Sequence, residues 1–298
     1  MIPVEEALEI VLREAQALPA EEVELDDALL RVLAEDVASD LDLPPFDRAA
    51  MDGYALRAAD VAGAPVALEI VGEVRAGQWP DLAVGPGQAV RIMTGAPVPP
   101  GADAVQPVES TQPLDEFRVT MRSAVPAGAN VAPRGSEAGA GTLLLSRGRV
   151  IDPAAIAVLA SAGKARVRVA RRPVVALLVT GDEIVAVSDT PAPGQIRNSN
   201  GPAVAAQARL AGAAVRLLGV APDRQDAIAE ALRPGLSADV LVVSGGVSAG
   251  DYDLVEPALL GLGATFLFTK VAIKPGAPLV FGRRSGTLVF GLPGNPVS

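Results

Sequence analysis

Apolar residues near the N-terminus recur every three or four positions. In the stretch PVEEALEIVLREAQAL the apolar positions share one helical face and acidic residues stand at its start. This pattern predicts an amphipathic helix. A similar spacing predicts a second helix from Asp26 to about Val37. Helical periodicity therefore dominates residues 1–43.

Between residues 44 and 138 the pattern changes to short apolar runs separated by glycines and prolines. Runs such as VALEIVGEV, QAVRIMTG and EFRVTMR are typical of strands, so this segment is predicted to be a mainly β domain. Helical spacing returns after it, where Asp152 is a candidate N-cap followed by proline. The simplest organisation is a discontinuous, elongated α+β linker domain of residues 1–43 and 139–170, with residues 44–138 inserted as the β-rich domain.

From residue 171 onward, continuous apolar runs alternate with helical segments. VVALLV, AVRLLGV, DVLVVS and TFLFTKV are predicted strands, and helices are predicted near residues 201–211, 224–233 and 254–262. Apolar strands linked through helices predict a parallel sheet covered on both faces. Residues 171–298 are therefore predicted to form a doubly wound α/β domain, and the whole chain to be an α/β multidomain protein.

Polar and glycine-rich segments follow the predicted strands of this domain. The segments are TGDEI, APDRQD, SGGVSAGDYD and KVAIKPG, which contain Asp182, Glu183, Asp223, Asp251, Asp253, Lys270 and Lys274. Ligands of such sheets bind beyond the carboxyl ends of the strands. These side chains are therefore expected to converge on one edge of the sheet.

The segment SGGVSAGDYD is the candidate anion site at this edge. Its candidate donors are the backbone N–H groups of Gly245 and Gly246 and the hydroxyls of Ser244 and Ser248. Asp251 and Asp253 are predicted to hold Mg²⁺ against the anion, because carboxylate and phosphate oxygens together suit this ion. A purely structural role stays open, since Asp223 and Asp253 are also good helix N-caps and glycine after a strand often forms only a turn.

Composition narrows the chemistry available to this edge. The 298 residues carry a formal net charge of −10 and include no cysteine and no histidine. A broadly acidic surface argues against general binding to nucleic acids or anionic membranes. The missing residue types exclude disulfides, thiolate nucleophiles, Ser-His pairs and zinc sites built from Cys or His. The sequence shows no signal peptide and no apolar run near the roughly 20 residues of a membrane span, so a soluble cytoplasmic protein is expected.

A set of motifs in order along nearly the whole chain carries a resemblance to a known family. The motifs are PPFDRAAMDGYA, RIMTGAPVPPGADAV, PRGSEAGAG, TGDEI, SGGVSAGDYD, AIKPG and GLPGNPVS. They resemble the MoeA family of molybdopterin molybdenumtransferases, which is related to the plant and gephyrin E domains. SGGVS is also found in the MogA and MoaB adenylyltransferases, whereas FDRAAMDGYA with RIMTGAPVP belongs to the MoeA type. The resemblance implies a MogA/MoaB-like fold for residues 171–298.

The resemblance also implies the last step of molybdenum cofactor assembly. In that step molybdate, a substrate, is inserted into the dithiolene of adenylylated molybdopterin, with release of AMP and a requirement for Mg²⁺. Because the substrate brings its own sulfur ligands, a chain without Cys or His can act by positioning and electrostatics. A MogA-type adenylyltransferase is a candidate partner.

The family's site positions carry over residue by residue. The implied catalytic residues are Asp52, Thr94, Glu137, Glu183, Asp223, Asp253, Lys270 and Lys274. The implied substrate-binding residues are Ser244, Gly245, Gly246, Ser248, Pro275, Gly276, Gly294, Asn295 and Ser298. The two lysines are assigned to the charge of molybdate and phosphate, and Pro275 and Ser298 to the molybdate pocket.

The sequence departs from the family pattern at three places. Glu137 stands where an aspartate is expected, so its carboxylate lies a methylene further out. Ala277 occupies a position where many members have a second lysine, which removes one positive charge. The family continues beyond GLPGNPVS with a helix and a small β domain, and that C-terminal β domain is expected to be absent from this chain.

The distribution of the motifs implies a homodimer with composite active sites. Asp52, Thr94 and Glu137 belong to the inserted β domain, whereas the remaining site residues belong to the α/β domain. In the family the two sets meet across a two-fold subunit interface. Two other functions stay open: a molybdopterin adenylyltransferase of the MogA type, which the inserted domain disfavours, and a non-catalytic scaffold related to the gephyrin E domain, which the intact lysines and carboxylates disfavour.

Overall fold

The computed structural model describes residues 1–246 and 254–296 of the chain. Its α-helices are α1 (Val4–Glu14), α2 (Pro153–Ser161), α3 (Asn200–Leu210), α4 (Gln225–Leu232) and α5 (Val255–Gly261). The predicted N-cap of α2 is present: the Asp152 carboxylate accepts a hydrogen bond from the Ala155 N–H at 2.7 Å. Among the described residues, no helix is both long and apolar enough to cross a membrane.

Strands form most of the remaining regular structure. They are β1 (Ala20–Glu24), β2 (Val37–Ala38), β3 (Arg48–Ala49), β4 (Gly53–Leu56), β5 (Val66–Val74), β6 (Gln88–Ile92), β7 (Ala104–Pro107), β8 (Thr111–Pro113), β9 (Arg118–Met121), β10 (Val131–Ala132), β11 (Leu143–Leu145), β12 (Arg166–Ala170), β13 (Val174–Thr180), β14 (Ile184–Val185), β15 (Ile196–Arg197), β16 (Ala214–Ala221), β17 (Val240–Ser244), β18 (Thr265–Lys270), β19 (Pro278–Arg284) and β20 (Thr287–Leu292). The α/β alternation predicted after residue 171 is present, and so is the β-rich segment before it.

The described chain divides into two compact units, which are considered separately. The α/β unit comprises Met1–Val23, Ala28–Ala34 and Arg168–Ser298, and the β unit comprises Glu24–Asp27 and Glu35–Val167. The three-part domain division read from the sequence stays a prediction.

A six-stranded sheet in the order β16-β13-β17-β20-β19-β18 forms the centre of the α/β unit. The pairs β16–β13, β13–β17 and β17–β20 are parallel. Strand β19 is antiparallel to both of its neighbours, β20 and β18. The prediction of a purely parallel sheet is wrong at β19, because only two residues join β19 to β20 and such a short turn can connect only antiparallel strands. The other five strands run in one direction, so their carboxyl ends share one edge as predicted.

Helices cover both faces of this sheet. On one face α4 and α5 bury Ile228 and Leu259 against alternate residues of β13 and β17, such as Leu178 and Val243. On the other face α3 packs Ala205 against the intervening residues of the same strands, and α1 packs on the aromatic residues of β18, β19 and β20. Consecutive residues of the central strands are apolar because helices bury both faces of the sheet.

The β unit contains a second six-stranded sheet, in the order β7-β4-β6-β5-β9-β8. Alternate residues of β4 enter different apolar clusters: Ala55 lies in one cluster, and Tyr54 and Leu56 lie in the other. Glycine is required at position 53, the first residue of β4, because a Cβ there would lie 1.9 Å from the carbonyl oxygen of Gln106 on β7. Both faces of the sheet are thus covered, and the site residues lie at its ends.

The predicted helix from Asp26 to about Val37 is wrong. The segment forms a short 3-10 helix at Leu25–Asp27, and Leu30 adopts the left-handed region with φ of 60°. Leu33 then forms an isolated bridge with Val169, and Val37 begins β2. Ala28, Leu33 and Val37 are buried, whereas Leu29, Leu30 and Val32 are exposed. The backbones of Leu33 and Val37 pair with other strands, and this tertiary pairing overrides the helical spacing.

Candidate functional site

A cleft of about 380 Å³ opens at the carboxyl ends of the parallel strands of the α/β unit. Of the residues singled out in the sequence, it is lined by Glu183, Asp223, Ser244, Gly245, Gly246, Gly294 and Asn295. This is the position that the topology predicts for a ligand, since the loops following these strands meet there.

Two glycines after β17 shape the floor of the cleft. Gly245 has φ of 100°, and a Cβ on it would lie 2.5 Å from the carbonyl oxygen of Thr180. Gly246 has φ of 63°. The Gly245 N–H already donates to the Leu292 carbonyl at 3.0 Å, so the anion donor predicted at Gly245 is engaged within the described chain. The close approach of β13 and β17 at this point, rather than a ligand contact alone, requires glycine.

Thr180, the last residue of β13, lines the cleft; it begins the TGDEI motif but was given no role of its own from the sequence. It is only 4% exposed, and within the described residues its hydroxyl oxygen has no hydrogen-bond partner. An unpaired buried hydroxyl costs free energy unless something else satisfies it. The hydroxyl is therefore a candidate ligand contact. Its position as the residue just before the TGDEI glycine was the available signal.

Asn200 is a second residue that the sequence analysis missed. Its amide nitrogen donates to the Ser244 hydroxyl and to the Gly294 carbonyl, each at 2.8 Å. This amide joins the last residue of β17 to the loop that follows β20. Asn198 supports the same region, because its side-chain oxygen accepts a hydrogen bond from the Gly201 N–H at 2.9 Å in the first turn of α3.

Acidic residues border the cleft on the side of β13 and β16. The Asp182 carboxylate accepts a hydrogen bond from the Asp223 N–H at 3.0 Å. Partial desolvation raises the pKa of Asp223, and the negative charges of Asp182 and Glu183 raise it further. Although much of Asp223 is accessible to solvent, its charged form is disfavoured here, so a cation or a proton donor at this edge would stabilise it.

The predicted lysines lie on the same strand edge but do not line this cleft. Lys270 ends β18, and Lys274 follows four residues later. Both are exposed, as is Pro275, while Gly276 is half-buried. The loop that carries Lys274 leads into β19, whose first residue Pro278 does line the cleft.

Several predicted residues lie outside the described part of the chain. They are Ser248, Asp251, Asp253 and Ser298. Within the described residues, no three Asp, Glu, His or Cys side chains are grouped so that they could hold a metal ion. The Mg²⁺ ligands predicted at Asp251 and Asp253 therefore remain a prediction.

In the β unit, Asp52 and Thr94 contact each other directly. The Asp52 carboxylate accepts hydrogen bonds at 2.7 Å from both the N–H and the hydroxyl of Thr94. These bonds lower the pKa of Asp52, with the backbone N–H making the larger contribution. Asp52 is thus a fixed carboxylate that stays ionised well below neutral pH.

Glu137, the third predicted residue of the β unit, pairs with Arg48 of β3. The backbone of Arg48 also forms an isolated β-bridge with Pro97, which lies in the loop that carries Thr94. Arg48 therefore links Glu137 to the same end of the unit as Asp52 and Thr94. The longer glutamate side chain at position 137 is accommodated by this ion pair.

Comparisons with known proteins cover both units of the chain. Residues 2–163 match the family described as the MoeA N-terminal region (domain I and II). Residues 176–298 match the family described as the probable molybdopterin binding domain. The molybdopterin molybdenumtransferase of Bacillus subtilis is 42% identical over 99% of this chain and 70% of its own length. That of Staphylococcus aureus strain Mu50 is 38% identical over 99% of this chain and 71% of its own length.

Solved structures with the same architecture support this result. A molybdopterin biosynthesis MoeA protein from Pyrococcus horikoshii OT3 superposes with a TM-score of 0.84 at 31% identity, covering 100% of this chain and 75% of that chain. A second structure of a MoeA protein from Pyrococcus, described as P. horikosii, has a TM-score of 0.83 at 35% identity, covering 100% of this chain and 76% of that chain. The chain belongs to the MoeA family of molybdopterin molybdenumtransferases.

Proposed function

We propose that this protein inserts molybdenum from molybdate into adenylylated molybdopterin and releases AMP. The observation that carries this proposal is the cleft at the strand edge of the α/β unit, which lies within the segment matching the molybdopterin-binding family. The cleft has a buried, unpaired Thr180 hydroxyl and a glycine-rich floor. These features suit a phosphate-bearing ligand, because both hydroxyls and backbone N–H groups donate to phosphate oxygens.

The residues of the α/β unit act on the substrates by positioning and charge. Ser244, Gly246 and the loop that contains Gly294 hold the phosphate end of the pterin substrate. Lys270 and Lys274 neutralise molybdate and phosphate charge, with Pro275 and Ser298 lining the molybdate pocket. Because the chain has no Cys or His, the dithiolene sulfurs of the substrate are the only thiolate ligands that meet molybdenum. Catalysis then depends on preorganised electrostatics.

The proposal includes a divalent cation near the acidic side of the cleft. Asp223 has a raised pKa because it is partly desolvated and faces Asp182 and Glu183, and this local excess of negative charge favours a cation. We assign Mg²⁺ to Asp251, Asp253 and phosphate oxygens of the substrate. When bound, Mg²⁺ would neutralise phosphate charge during AMP release.

We assign Asp52, Thr94 and Glu137 to a homodimeric enzyme with composite active sites. Their support is the preformed Asp52–Thr94 pair, which holds a carboxylate ionised and in place. In this assignment Asp52 of one subunit serves the α/β cleft of its partner. A mixture of Asp52→Ala and Lys274→Ala subunits should regain part of the activity, because one site of each mixed dimer would be intact. A monomer in sedimentation at micromolar concentration, or no recovery after confirmed subunit exchange, would exclude shared sites.

The direct test is a reconstitution with purified components. Protein, molybdate and adenylyl-molybdopterin are combined with and without Mg²⁺, and AMP release is measured beside the activation of a molybdenum-dependent apoenzyme. The expected result is Mg²⁺-dependent AMP release that is stoichiometric with active cofactor. Formation of adenylyl-molybdopterin from ATP would indicate instead the MogA-type reaction, which we assign to a separate cytoplasmic partner that supplies this substrate.

A further inference from the structure

The β unit carries a small groove beside the chain's single tryptophan. The groove has a volume of about 390 Å³ and is lined by Glu73, Val74, Gln78, Trp79, Pro80 and Asp81. It lies in the loop between β5 and β6. Trp79 is 74% exposed, which is unusual in a chain where aromatic residues make up 3% of the sequence. No motif of the sequence analysis includes it.

The indole of Trp79 is held by a second aromatic ring. Phe46 packs on it in a T-shaped arrangement with ring centroids 5.9 Å apart and an angle of 84° between the planes. Edge-to-face pairs of this kind are favourable and restrict the orientation of both rings. The contact fixes the indole while leaving most of its surface accessible. The structure therefore presents a fixed aromatic surface to a ligand.

Polar groups in the groove complement this aromatic surface. Gln78 accepts the Arg75 N–H at 3.3 Å through its side-chain oxygen, which leaves its amide hydrogens as donors. Asp81 has no hydrogen bond or ion pair with any other residue that the structure describes, and its carboxylate is exposed. The groove thus combines a ring surface, a carboxylate acceptor and an amide donor.

The groove lies at the same end of the β sheet as the Asp52–Thr94 pair. β5 and β6 are parallel, with Val74 opposite Ile92, so the Trp79 loop and the Thr94 loop leave the sheet at one edge. The Met93 N–H donates to the Val74 carbonyl at 3.2 Å, which joins the wall of the groove to the residue before Thr94. The wall of the groove is therefore bonded to the segment that carries Thr94.

We propose that Trp79 and its groove bind the pterin ring system of the molybdopterin substrate, with Trp79 stacking on the ring and Asp81 accepting hydrogen bonds from its amino edge. A pterin is a planar fused heterocycle, and such rings stack on aromatic side chains. Its 2-amino and N3–H groups form a pair of adjacent donors that a carboxylate can accept together, and its 4-oxo group accepts from an amide. The proposal rests on the proposed function for the identity of the ligand.

Fluorescence of the 298-residue chain provides the first test, because all of its tryptophan emission comes from Trp79. The protein is titrated with hydroxymethylpterin phosphate, a stable oxidised pterin, under selective tryptophan excitation, with free tryptophan correcting for absorption by the pterin. The expected result is saturable quenching. Emission that responds to protein concentration but not to the pterin would show that a second subunit covers the groove, and would overturn the proposal.

Variants separate stacking from a general effect of the substitution. Pterin binding is measured by equilibrium dialysis, and Trp79→Ala should weaken it roughly tenfold, whereas Trp79→Phe should restore most of the affinity. Phe117→Ala is the matched control, since Phe117 is an aromatic residue of the same unit that is 65% exposed but lies in the β8–β9 turn. Equal affinities of Trp79→Ala and Phe117→Ala would refute the assignment.

Steady-state kinetics show whether the pterin site at Trp79 or the proposed transferase function is wrong. In the reconstitution, Trp79→Ala should raise the half-saturating concentration of adenylyl-molybdopterin about tenfold while leaving the maximal rate nearly unchanged. An active wild-type enzyme with unaltered Trp79→Ala kinetics and no quenching overturns the inference alone. Saturable quenching by the pterin in a wild-type protein without transferase activity supports the pterin site and overturns the proposed function.

Discussion

Asp223 of the α/β unit and Asp52 of the β unit are both exposed carboxylates in loops at strand ends, but their surroundings act in opposite directions. Partial desolvation and neighbouring negative charges raise the pKa of Asp223. Hydrogen bonds from the Thr94 N–H and hydroxyl lower the pKa of Asp52. The negative charge of Asp223 is therefore disfavoured by its surroundings, whereas the negative charge of Asp52 is stabilised by hydrogen bonds within its own unit.

Two threonines show the same difference. The Thr94 hydroxyl donates to Asp52 at 2.7 Å. The Thr180 hydroxyl is buried and has no partner within the described residues. Thr180 therefore gives the α/β cleft a buried polar group that no described residue satisfies. In the β unit, the Asp52 carboxylate and the Thr94 hydroxyl instead satisfy each other.

The largest expected effect is on the reaction itself. Lys274→Ala should lower the rate of AMP release by roughly 10²–10³-fold, because it removes a positive charge assigned to the reacting anions. Lys164→Ala is the control, since Lys164 lies in the β unit and pairs with Glu35 at 3.2 Å. Circular dichroism should show that both variants fold. Near-normal AMP release by Lys274→Ala at saturating molybdate would remove the lysine from the site.

The glycine floor of the cleft should dominate the stability effects. Gly245→Ala is expected to lower the free energy of unfolding by about 3 kcal/mol, since it combines φ of 100° with a contact of 2.5 Å to the Thr180 carbonyl. Gly212→Ala is the matched control. Gly212 has φ of 86° with no atom within 4 Å of its Cβ position, so only about 1 kcal/mol should be lost. Equal urea midpoints would show that β13 and β17 can separate without cost.

A smaller effect is expected from replacing the unpaired hydroxyl. Thr180→Val should change the free energy of unfolding by less than about 1 kcal/mol, or increase it, because the lost group has no partner in the described chain. Thr287→Val is the matched control: Thr287 is also 4% exposed, but its hydroxyl bonds the Ala238 carbonyl at 2.8 Å. That variant should lose about 1–3 kcal/mol.

Thr180→Val should also weaken binding of a phosphate-bearing pterin, in contrast to its small effect on folding. Isothermal titration calorimetry with hydroxymethylpterin phosphate would measure this loss. Unchanged affinity together with a large loss of stability would mean that Thr180 serves the fold rather than the ligand.

The smallest expected effects are on the pH dependence of stability, and they have opposite signs. The lowered pKa of Asp52 stabilises the folded state above the ordinary value of 3.8, and this contribution is lost as the pH falls through the folded pKa. Asp52→Asn should therefore be destabilising at neutral pH only. The raised pKa of Asp223 makes its ionisation unfavourable to folding, so Asp223→Asn should be stabilising at neutral pH.

Urea unfolding at neutral pH and well below pH 3.8 measures both differences. Each variant should approach the wild type at the acidic end, where the wild-type carboxyl groups are protonated in the folded and unfolded states. Changes of the same sign at neutral pH would contradict the comparison between the two units.

Local sequence signals predicted much of this fold, because the central strands of the α/β unit are largely apolar and Asp152 and Pro153 mark the start of α2 in the β unit. Asp152 was predicted to cap its helix and does so. The five strands that run in the same direction bring the loops that carry the motifs to one edge of the sheet. The helix predicted from Asp26 to about Val37 does not form. A spacing of three and four between apolar residues indicates which side chains are buried, but it does not determine which strands the backbone pairs with. Leu33 and Val37 are both buried, yet they pair with distant segments.

The site was predicted in part for a related reason. Charged and glycine residues in loops are visible in sequence, so Glu183, Asp223 and Gly246 were expected at the strand edge, where they line the cleft. Thr180 and Asn200 were missed, since one is the last residue of an apolar strand and the other begins a helix. Their roles come from atoms brought close by folding: the Asn200 amide reaches Ser244 and Gly294.

The Asn200 side chain also limits which hydrogen-bonding groups of a ligand can bind beside it. Both of its amide hydrogens are directed to Ser244 and Gly294, so toward a bound molecule the side chain can offer only the lone pairs of its oxygen. An approaching group must bring its own hydrogen at this point, as an amine or alcohol does and an ionised phosphate does not. Thr180 and the Gly246 N–H can offer the reverse polarity. A ligand with one end rich in hydrogens and the other rich in oxygens would therefore enter the cleft in a single orientation.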